Sequence, residues 1–393
     1  MRQEWRTVLL KDVLQPKGYI RGPFGSALKR GDMLDTGIPV YEQQHAIYGS
    51  RQFRFHISEN KYMEMKRFSI QPDDIIISCS GTVGKVSIIT KDDPIGIISQ
   101  ALLLLRVNAD VIDPLFLCYF FRSYEGYNAI VSRSSGSVQV NISKREVIEQ
   151  IPLRLPDIQT QRRIVSILSS LDQKIVCNAK INDNLQQQAA ALFANFYGQA
   201  ETEVGFTEII QILGGGTPKT GESSYWNGNV PFFTPKDVGL PYTLTTEKTI
   251  TEEGLTHCNS RLYPINTVFV TARGTVGKVG LSGVPMAMNQ SCYALVGKDT
   301  HQLLVYFYTL KAVDRLKHKA SGAVFDAITI RDFESEIISK LSDNDAKAFL
   351  DIAEPIYQAI LSNSIENLRL AALRDSLLPK LMSGEIDVSG IQL

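Results

Sequence analysis

One six-residue string carries the residues best able to do chemistry in this 393-residue sequence, and it occurs twice. Gly81-Thr82-Val83-Gly84-Lys85-Val86 recurs letter for letter as Gly274-Thr275-Val276-Gly277-Lys278-Val279. Glycines, a hydroxyl and a lysine on a tight turn invite a nucleotide-phosphate reading. A Walker loop, however, has a longer run between its glycines, and a Ser or Thr after the lysine to hold magnesium. Here only Thr-Val separates the glycines, and valine follows the lysine. Spacing and the missing hydroxyl exclude that site. Two readings remain for each turn. One is a plain β-turn with an exposed lysine. The other is a turn offering backbone N–H groups, with Thr82 and Lys85 or Thr275 and Lys278, to a DNA phosphate. Arg273, just before the second copy, adds a candidate guanine reader, because arginine grips O6 and N7 together. Cys79-Ser80 holds that place in the first copy, so the two turns would read different bases.

Other polar residues fall on segments that read as loops. Gln43-Gln44-His45 follows the apolar pair Val40-Tyr41. These side chains either read base edges, glutamine suiting adenine, or form a solvated loop. The matching later stretch, Val230–Asp237, contains Lys236, and Gly214-Gly215-Gly216-Thr217-Pro218-Lys219 is a flexible turn ending on a second exposed cation. Tyr225-Trp226-Asn227-Gly228 reads as a rigid aromatic turn, most of it core. The run 132–137, rich in serine, binds phosphate or is simply a loop.

Absences narrow the chemistry. No Asp/Asn-Pro-Pro-Tyr/Phe quartet, glycine-rich methyl-donor loop or helicase Walker pair occurs. The five histidines (His45, His56, His257, His301, His318) show no His-x-x-x-His spacing, so no metal site is expected. Five scattered cysteines without a Cys-x-x-Cys pair read as reduced, buried thiols of a cytoplasmic protein. Asn141-Ile142-Ser143 matches a glycosylation sequon, but nothing indicates secretion. The start of the sequence lacks a secretory apolar core, and runs such as Ala101–Leu105 and Leu115–Phe121 are too short to span a membrane. Composition is that of an ordinary globular protein, 44% hydrophobic and 21% charged. Lys plus Arg number 41 against 41 Asp plus Glu. That balance counts against a free-standing DNA binder, although partner subunits can supply basic surface. No catalytic residue is expected.

The elements that must carry these turns are themselves duplicated. Each copy follows an apolar strand-like run, Asp74–Cys79 or Thr267–Thr271. Ser99-Gln100 is answered by Asn289-Gln290. Asp113-Pro114 marks a helix start, a capping Asp before proline, with its counterpart near Thr300. Ser135-Gly136 is echoed by Ser321-Gly322, and Ile142 by Ile328. The repeat then enters a helix. From Gln159 to Phe196 there is no Pro or Gly, and a heptad seam runs through Ile164, Leu168, Leu171, Ile175, Asn178, Asn182, Leu185, Ala189, Leu192 and Phe196. A second seam runs through Phe349, Ala353, Ile356, Ile360, Asn363, Asn367, Leu370, Arg374, Leu377 and Leu381. Both place two asparagines at the same level. Polar seam residues lower stability but reward the register that pairs them. These matched pairs favour two helices packed on each other over two helices each covering its own domain. At about 1.5 Å per residue the first helix is about 58 Å long. If the helices pair antiparallel, the heads sit at opposite ends of a rod longer than one DNA turn of about 34 Å.

The duplicated heads, the Gly-Gly-Thr-Pro and Tyr-Trp-Asn-Gly strings, the Gly-Thr-Val-Gly-Lys turns and Ile151-Pro152-Leu153…Gln161-Arg162-Arg163-Ile164-Val165 resemble type I restriction-modification specificity subunits over essentially the whole chain. The resemblance implies an α+β fold: two similar globular target-recognition domains separated by two long antiparallel coiled-coil helices. Domain one covers 1–156, the central helix 157–197, domain two 198–341 and the C-terminal helix 342–393. It implies that each domain reads one half of a bipartite, asymmetric site on double-stranded DNA. The helices would space the domains and dock two methyltransferase subunits, with restriction subunits able to join. Methyl donor, ATP and magnesium would belong to those partners, and no cofactor to this chain. Head one departs from the family pattern, with Lys17-Gly18-Tyr19-Ile20 and Gly22-Pro23-Phe24-Gly25 in place of Gly-Gly-Thr-Pro. The second helix offers Asp345-Ala346-Lys347 where the first has Gln-Arg-Arg. Two other functions stand against this one: a protein-only scaffold, and a stand-alone DNA-modifying enzyme, which would need a carboxylate cluster or donor loop absent here.

Overall fold

Strands with apolar residues on both faces must be covered on both sides, and such strands run through the middle of each head. The computed structural model describes residues 5–24, 27–134, 141–239, 241–319 and 327–391. The Ser135-Gly136 and Ser321-Gly322 pair, Gly25 and the second half of the 132–137 run lie outside the described residues.

In head one the early strands are β1 (Arg6–Leu9), β2 (Leu14–Arg21) and β3 (Ile38–Tyr41). Helix α1 (Gln43–Tyr48), strand β4 (His56–Ile57) and helix α2 (Glu59–Glu64) follow. Next come β5 (Ile75–Ser78), β6 (Val86–Ile88), β7 (Ile97–Ile98) and β8 (Leu102–Val107). Helices α3 (Pro114–Arg122), α4 (Tyr124–Val131) and α5 (Arg145–Ile148) lead to β9 (Pro152–Leu155). The strands form three sheets, ordered β2-β8-β5-β6, β4-β3-β7 and β1-β9. Alternation along β5 and β8 divides the head into two cores. Ile75, Ile77, Leu103 and Leu105 pack with Phe116 and Leu117 of α3, while Ile76, Leu102 and Leu104 pack with Val40, Tyr41 and Ile97. Each such side chain contributes roughly 1.5–3 kcal/mol on burial.

Helix α6 (Ile158–Gln199) then crosses to head two. There β10 (Thr202–Gly205), α7 (Phe206–Ile209), β11 (Ile210–Gly214) and β12 (Trp226–Phe233) come first. β13 (Tyr242–Thr243), β14 (Lys248–Ile250), α8 (Glu252–Thr256) and β15 (Val268–Thr271) follow. β16 (Val279–Ser282), β17 (Ala287–Met288), β18 (Cys292–Gly297) and α9 (Gln302–Lys319) complete the body. α10 (Ile330–Glu334), β19 (Ile337–Lys340) and the long α11 (Asp343–Met382) end the ordered elements. The sheets repeat head one: β11-β18-β15-β16 with β13 added at the edge, β14-β12-β17, and β10-β19. The same division of cores recurs, with Val268, Val270 and Leu295 toward α9 and Phe269, Ala294 and Cys292 toward Phe233 and Met288.

The chain divides into two units, one running to Gln173 and resuming at Leu370, the other Lys174–Arg369. Both contain part of each long helix. In the first unit Ile164 and Leu168 join Leu378, Leu381 and Met382 in the head-one core, and Asp172 accepts from Arg374 at 2.7 Å. Asp172 also accepts from Tyr119 Oη of α3 at 2.7 Å. In the second unit Ala189 and Phe193 pack with Phe349, Ala353 and Ile360. Asn178 Nδ2 donates to Asn367 Oδ1 (2.9 Å) and Asn363 Nδ2 to Asn182 Oδ1 (2.8 Å). The rising and falling numbers make the helices antiparallel within each unit. The four asparagines pair across the seam, Asn178 with Asn367 and Asn182 with Asn363.

The helix ends follow from local chemistry. Asp157 caps α6 by accepting from the N–H groups of Gln159 and Thr160, and Asp113 caps α3 at Leu115 and Phe116. Gln161, fully buried, accepts from Asp113 N and donates to Pro156 O at 3.0 Å, stapling the start of α3 to α6. The helix expected over 342–393 stops at Met382. Gly384 turns left-handed (φ 73) and the following residues fold back, with Val388 buried and Arg163 donating to Ile391 O. The cysteines divide also: Cys79, Cys118 and Cys292 are buried free thiols, whereas Cys177 is exposed and Cys258 half-buried.

Candidate nucleic-acid interface

The repeated turn closes the hairpin β5–β6 in head one and β15–β16 in head two, and both are built by one set of bonds. A strand hydroxyl organises each. Ser78 Oγ accepts from Lys85 N at 3.0 Å, and Thr271 Oγ1 accepts from Lys278 N at 2.9 Å. Gly84 N donates to Ser78 O and Gly277 N to Thr271 O. Those N–H groups therefore work inside the turn. Of the phosphate-binding groups expected, the exposed side chains of Thr82, Lys85, Thr275 and Lys278 face solvent. Gly84 (φ 84) and Gly277 (φ 74) adopt the left-handed region and press on α4 and α9. A Cβ at Gly277 would lie 2.5 Å from Lys317 Cε and 3.1 Å from Val313. Gly277→Ala is accordingly expected to destabilise the chain by about 1–2 kcal/mol, seen as a lower urea midpoint at unchanged m-value.

In each head the segment after the first strand of the small sheet meets this turn. Gln43 Nε2 donates to Ser80 O at 2.6 Å, and Ser80 N donates to Gln43 Oε1 at 3.0 Å. In head two Thr275 Oγ1 donates to Pro235 O at 3.2 Å. A third segment closes the junction: Ile142 N donates to Cys79 O and Ile328 N to Ala272 O, both at 2.9 Å. Ser80 bridges Asn141 as Arg273 bridges Ala327, so Ser80 and Arg273 hold equivalent places. Their side chains differ in kind. Ser80 Oγ is hydrogen-bonded to Asn141 Oδ1, whereas Arg273 is exposed.

In head two the junction opens into a pocket of about 560 Å³ lined by Lys236, Lys248, Lys278, Thr275 and Asn289, with Glu247 as its one acid. Lys236 lies 3.6 Å from Glu247, and Lys248 stands 5.6 Å over the Trp226 ring. Trp226 Nε1 donates to Lys219 O, tying the Gly214–Lys219 turn to the same aromatic, although Lys219 itself lies outside the pocket. In head one Lys85 Nζ lies 4.7 Å over Tyr127, with Tyr48 and Tyr124 exposed on the same concave surface. Lys248 and Asn289 were not singled out in the sequence. Asn289 stood only in the echoed Asn-Gln pair, and Lys248, far from Trp226 in the chain, carried no signal until strand β14 paired with β12.

Gln43-Gln44-His45 does not form a loop. The segment is the first turn of α1. His45 is fully buried, stacked on Phe53 with ring centroids 4.7 Å apart. Its Nδ1 accepts from Glu42 N at 2.7 Å, which leaves the proton on Nε2, facing Gln52 O at 3.0 Å. The ring caps its own helix. Gln44 reaches Gln52 O at 3.4 Å. Beneath the turns, burial pushes the Cys79 and Cys292 thiols up to about 12, so neither supplies a thiolate at neutral pH. Among the described residues no three His, Cys, Asp or Glu side chains gather as a metal would need, and no helix is long and apolar enough to cross a membrane.

The comparisons with known proteins agree with this duplication. The family model for the type I restriction modification DNA specificity domain matches twice, at residues 3–187 and 202–367. The chain is 24% identical over 374 aligned residues to the type I restriction enzyme HindI specificity subunit of Haemophilus influenzae, covering 74% of this chain and 81% of that one. It is 29% identical over 179 residues to the EcoR124I/EcoR124II specificity subunit of Escherichia coli, covering 41% and 43%. In fold it is similar to the crystal structure of a type I restriction-modification S subunit from M. genitalium, with TM-score 0.61 and 14% identity over 97% of this chain and 96% of that one. The chain belongs to the specificity subunits of type I restriction-modification systems, and its two α+β heads are DNA specificity domains.

Proposed function

We propose that each head reads one half of a bipartite, asymmetric site on double-stranded DNA through the junction of its Gly-Thr-Val-Gly-Lys turn with the segment that follows the first strand of its small sheet. The observation that carries this reading is one junction built twice, with hydroxyls and lysines exposed around it and a different residue at its tip, Ser80 or Arg273. Thr82 and Lys85 in head one, and Lys236, Lys248 and Lys278 in head two, take phosphates; Lys219 extends that path. Ser80 and Arg273 face base edges. Phosphates position and bases specify. The long helices space the heads and dock two methyltransferase subunits, which restriction subunits can join, in the cytoplasm. The chain is the non-catalytic member of that complex, and methyl donor, ATP and magnesium are held by its partners.

Methylome sequencing of a host carrying this chain with its partner subunits tests the reading. It should show modified bases at one bipartite motif that vanishes when the chain is deleted; modification unaffected by the deletion would overturn it. Lys278→Ala carries a narrower expectation. Binding should weaken a few-fold at all sequences, and the slope of log affinity against log salt should fall by about one, with base preference unchanged. Titrations across a salt series read both.

A further inference from the structure

Gln43 is the residue of head one whose chemistry most invites a base-reading role, yet the edge of its amide that would meet adenine is already occupied. Bidentate recognition of adenine uses one amide oxygen and one amide hydrogen together. In Gln43 that pair is matched to the backbone N–H and C=O of Ser80, its Nε2 donating to Ser80 O at 2.6 Å and its Oε1 accepting from Ser80 N at 3.0 Å. Because the backbone of one residue offers one N–H and one C=O, a single orientation of the amide satisfies both bonds.

The amide is itself held from behind. Gln43 opens α1, whose start is capped by the buried His45 ring two residues on. From the other side, Ile142 N donates to Cys79 O. The backbone at residue 80 is thus gripped from two directions, and Gln43 touches it without using the Ser80 side chain. Such a grip leaves the tip residue free to differ while its depth stays constant. Head two joins the same two segments with other atoms: Thr275, on the turn, donates to Pro235 O after β12. One junction made by unrelated side chains indicates that the junction matters more than either residue.

We infer that Gln43 is a positioning residue that sets the place at which the Ser80–Lys85 turn meets DNA, with Thr275 its functional counterpart in head two. This rests on the reading of the heads as DNA readers. The test uses the full chain reconstituted with its methyltransferase subunits and a randomised duplex library, followed by salt titrations on the selected duplex. Gln43→Met, similar in shape and unable to make either bond, should select the parent motif in both halves and bind it about tenfold more weakly. The salt slope should fall by about one as the turn loses its phosphate, a change that a lowered melting temperature alone would not produce. A new preferred base in the first half would make Gln43 a reader, and unchanged affinity and slope would make the contact idle; either overturns the proposal. Thr275→Val repeats the test in head two. Weaker binding at an unchanged motif supports the proposal there, and unchanged binding overturns it should Gln43→Met fail to fold. If the parent complex enriches no bipartite motif, the DNA-reading function itself fails, a result separable from any variant.

Discussion

Arg273→Ser places in head two the residue that head one carries at the equivalent position, and it should relax base preference in the second half-site by roughly ten- to a hundred-fold. The backbone at Arg273 is held independently of its side chain, with its N–H donating to Ser291 O at 3.2 Å and a bridge to Ala327. Substitution therefore removes the guanidinium and little else. A bidentate arginine–guanine contact contributes about 1–3 kcal/mol of discrimination, which sets the size of the effect. The first half-site should be read as before, because head one carries its own sheets and cores. Selection from a randomised duplex library, scored separately for the two halves, gives the measurement. An unchanged second half would remove Arg273 from the readers. The reciprocal Ser80→Arg should narrow the first half.

The second large effect lies in the helix seam. Asn182 is 7% exposed and accepts from Asn363 Nδ2, while its own Nδ2 faces Ile360 O and Ser364 Oγ. Asn182→Leu strands the Asn363 amide against hydrocarbon, and the expected loss is about 1–3 kcal/mol. Replacing both partners by leucine should recover that loss, since two apolar groups fill the site without an unsatisfied dipole. The double variant should then be as stable as the parent in urea, yet modify DNA less selectively, because all-apolar seams tolerate register slips. A double variant no more stable than Asn182→Leu would show that packing volume, not amide pairing, decides this position. The neighbouring pair is the poorer of the two. Asn178 gives its amide hydrogens to Asn367 and to Glu366, whose carboxyl is held below its usual range by that bond and by Lys174, and Asn178 Oδ1 is left buried without a partner. Replacing Asn178 should therefore alter stability less.

Much of the organisation was legible because it rests on periods and copies. Unbroken apolar strands at Ile75–Ile77 and Val268–Val270, the Asp113-Pro114 cap and the heptad seams need only local rules. The two glycines of each repeated turn were legible as a turn for the same reason. What misled was the first-loop segment. Gln43-Gln44-His45 is polar in sequence, but its first turn is helical and His45 is buried against Tyr41 and Phe53, chain neighbours whose facing sides are set only when the small sheet packs. Gln43 met Ser80 only because β3 and β5 belong to sheets that pack on each other. The expected helix beyond Met382 failed for a related reason, the tail gaining more by packing Val388 against head one than by extending into solvent.

Residue order alone therefore determined that one module occurs twice, that each copy ends in a long helix, and that two asparagine levels face one another. Tertiary structure decided which polar side chains hold the machinery together and which are left exposed: Gln43 and His45 turned inward, while Lys85, Lys236, Arg273 and Lys278 stayed outside. The reason is physical. A hydrogen-bonding group has no role until its partner is known, and partners lying far apart in the chain are brought together only by the packing of sheets whose apolar faces had to be covered.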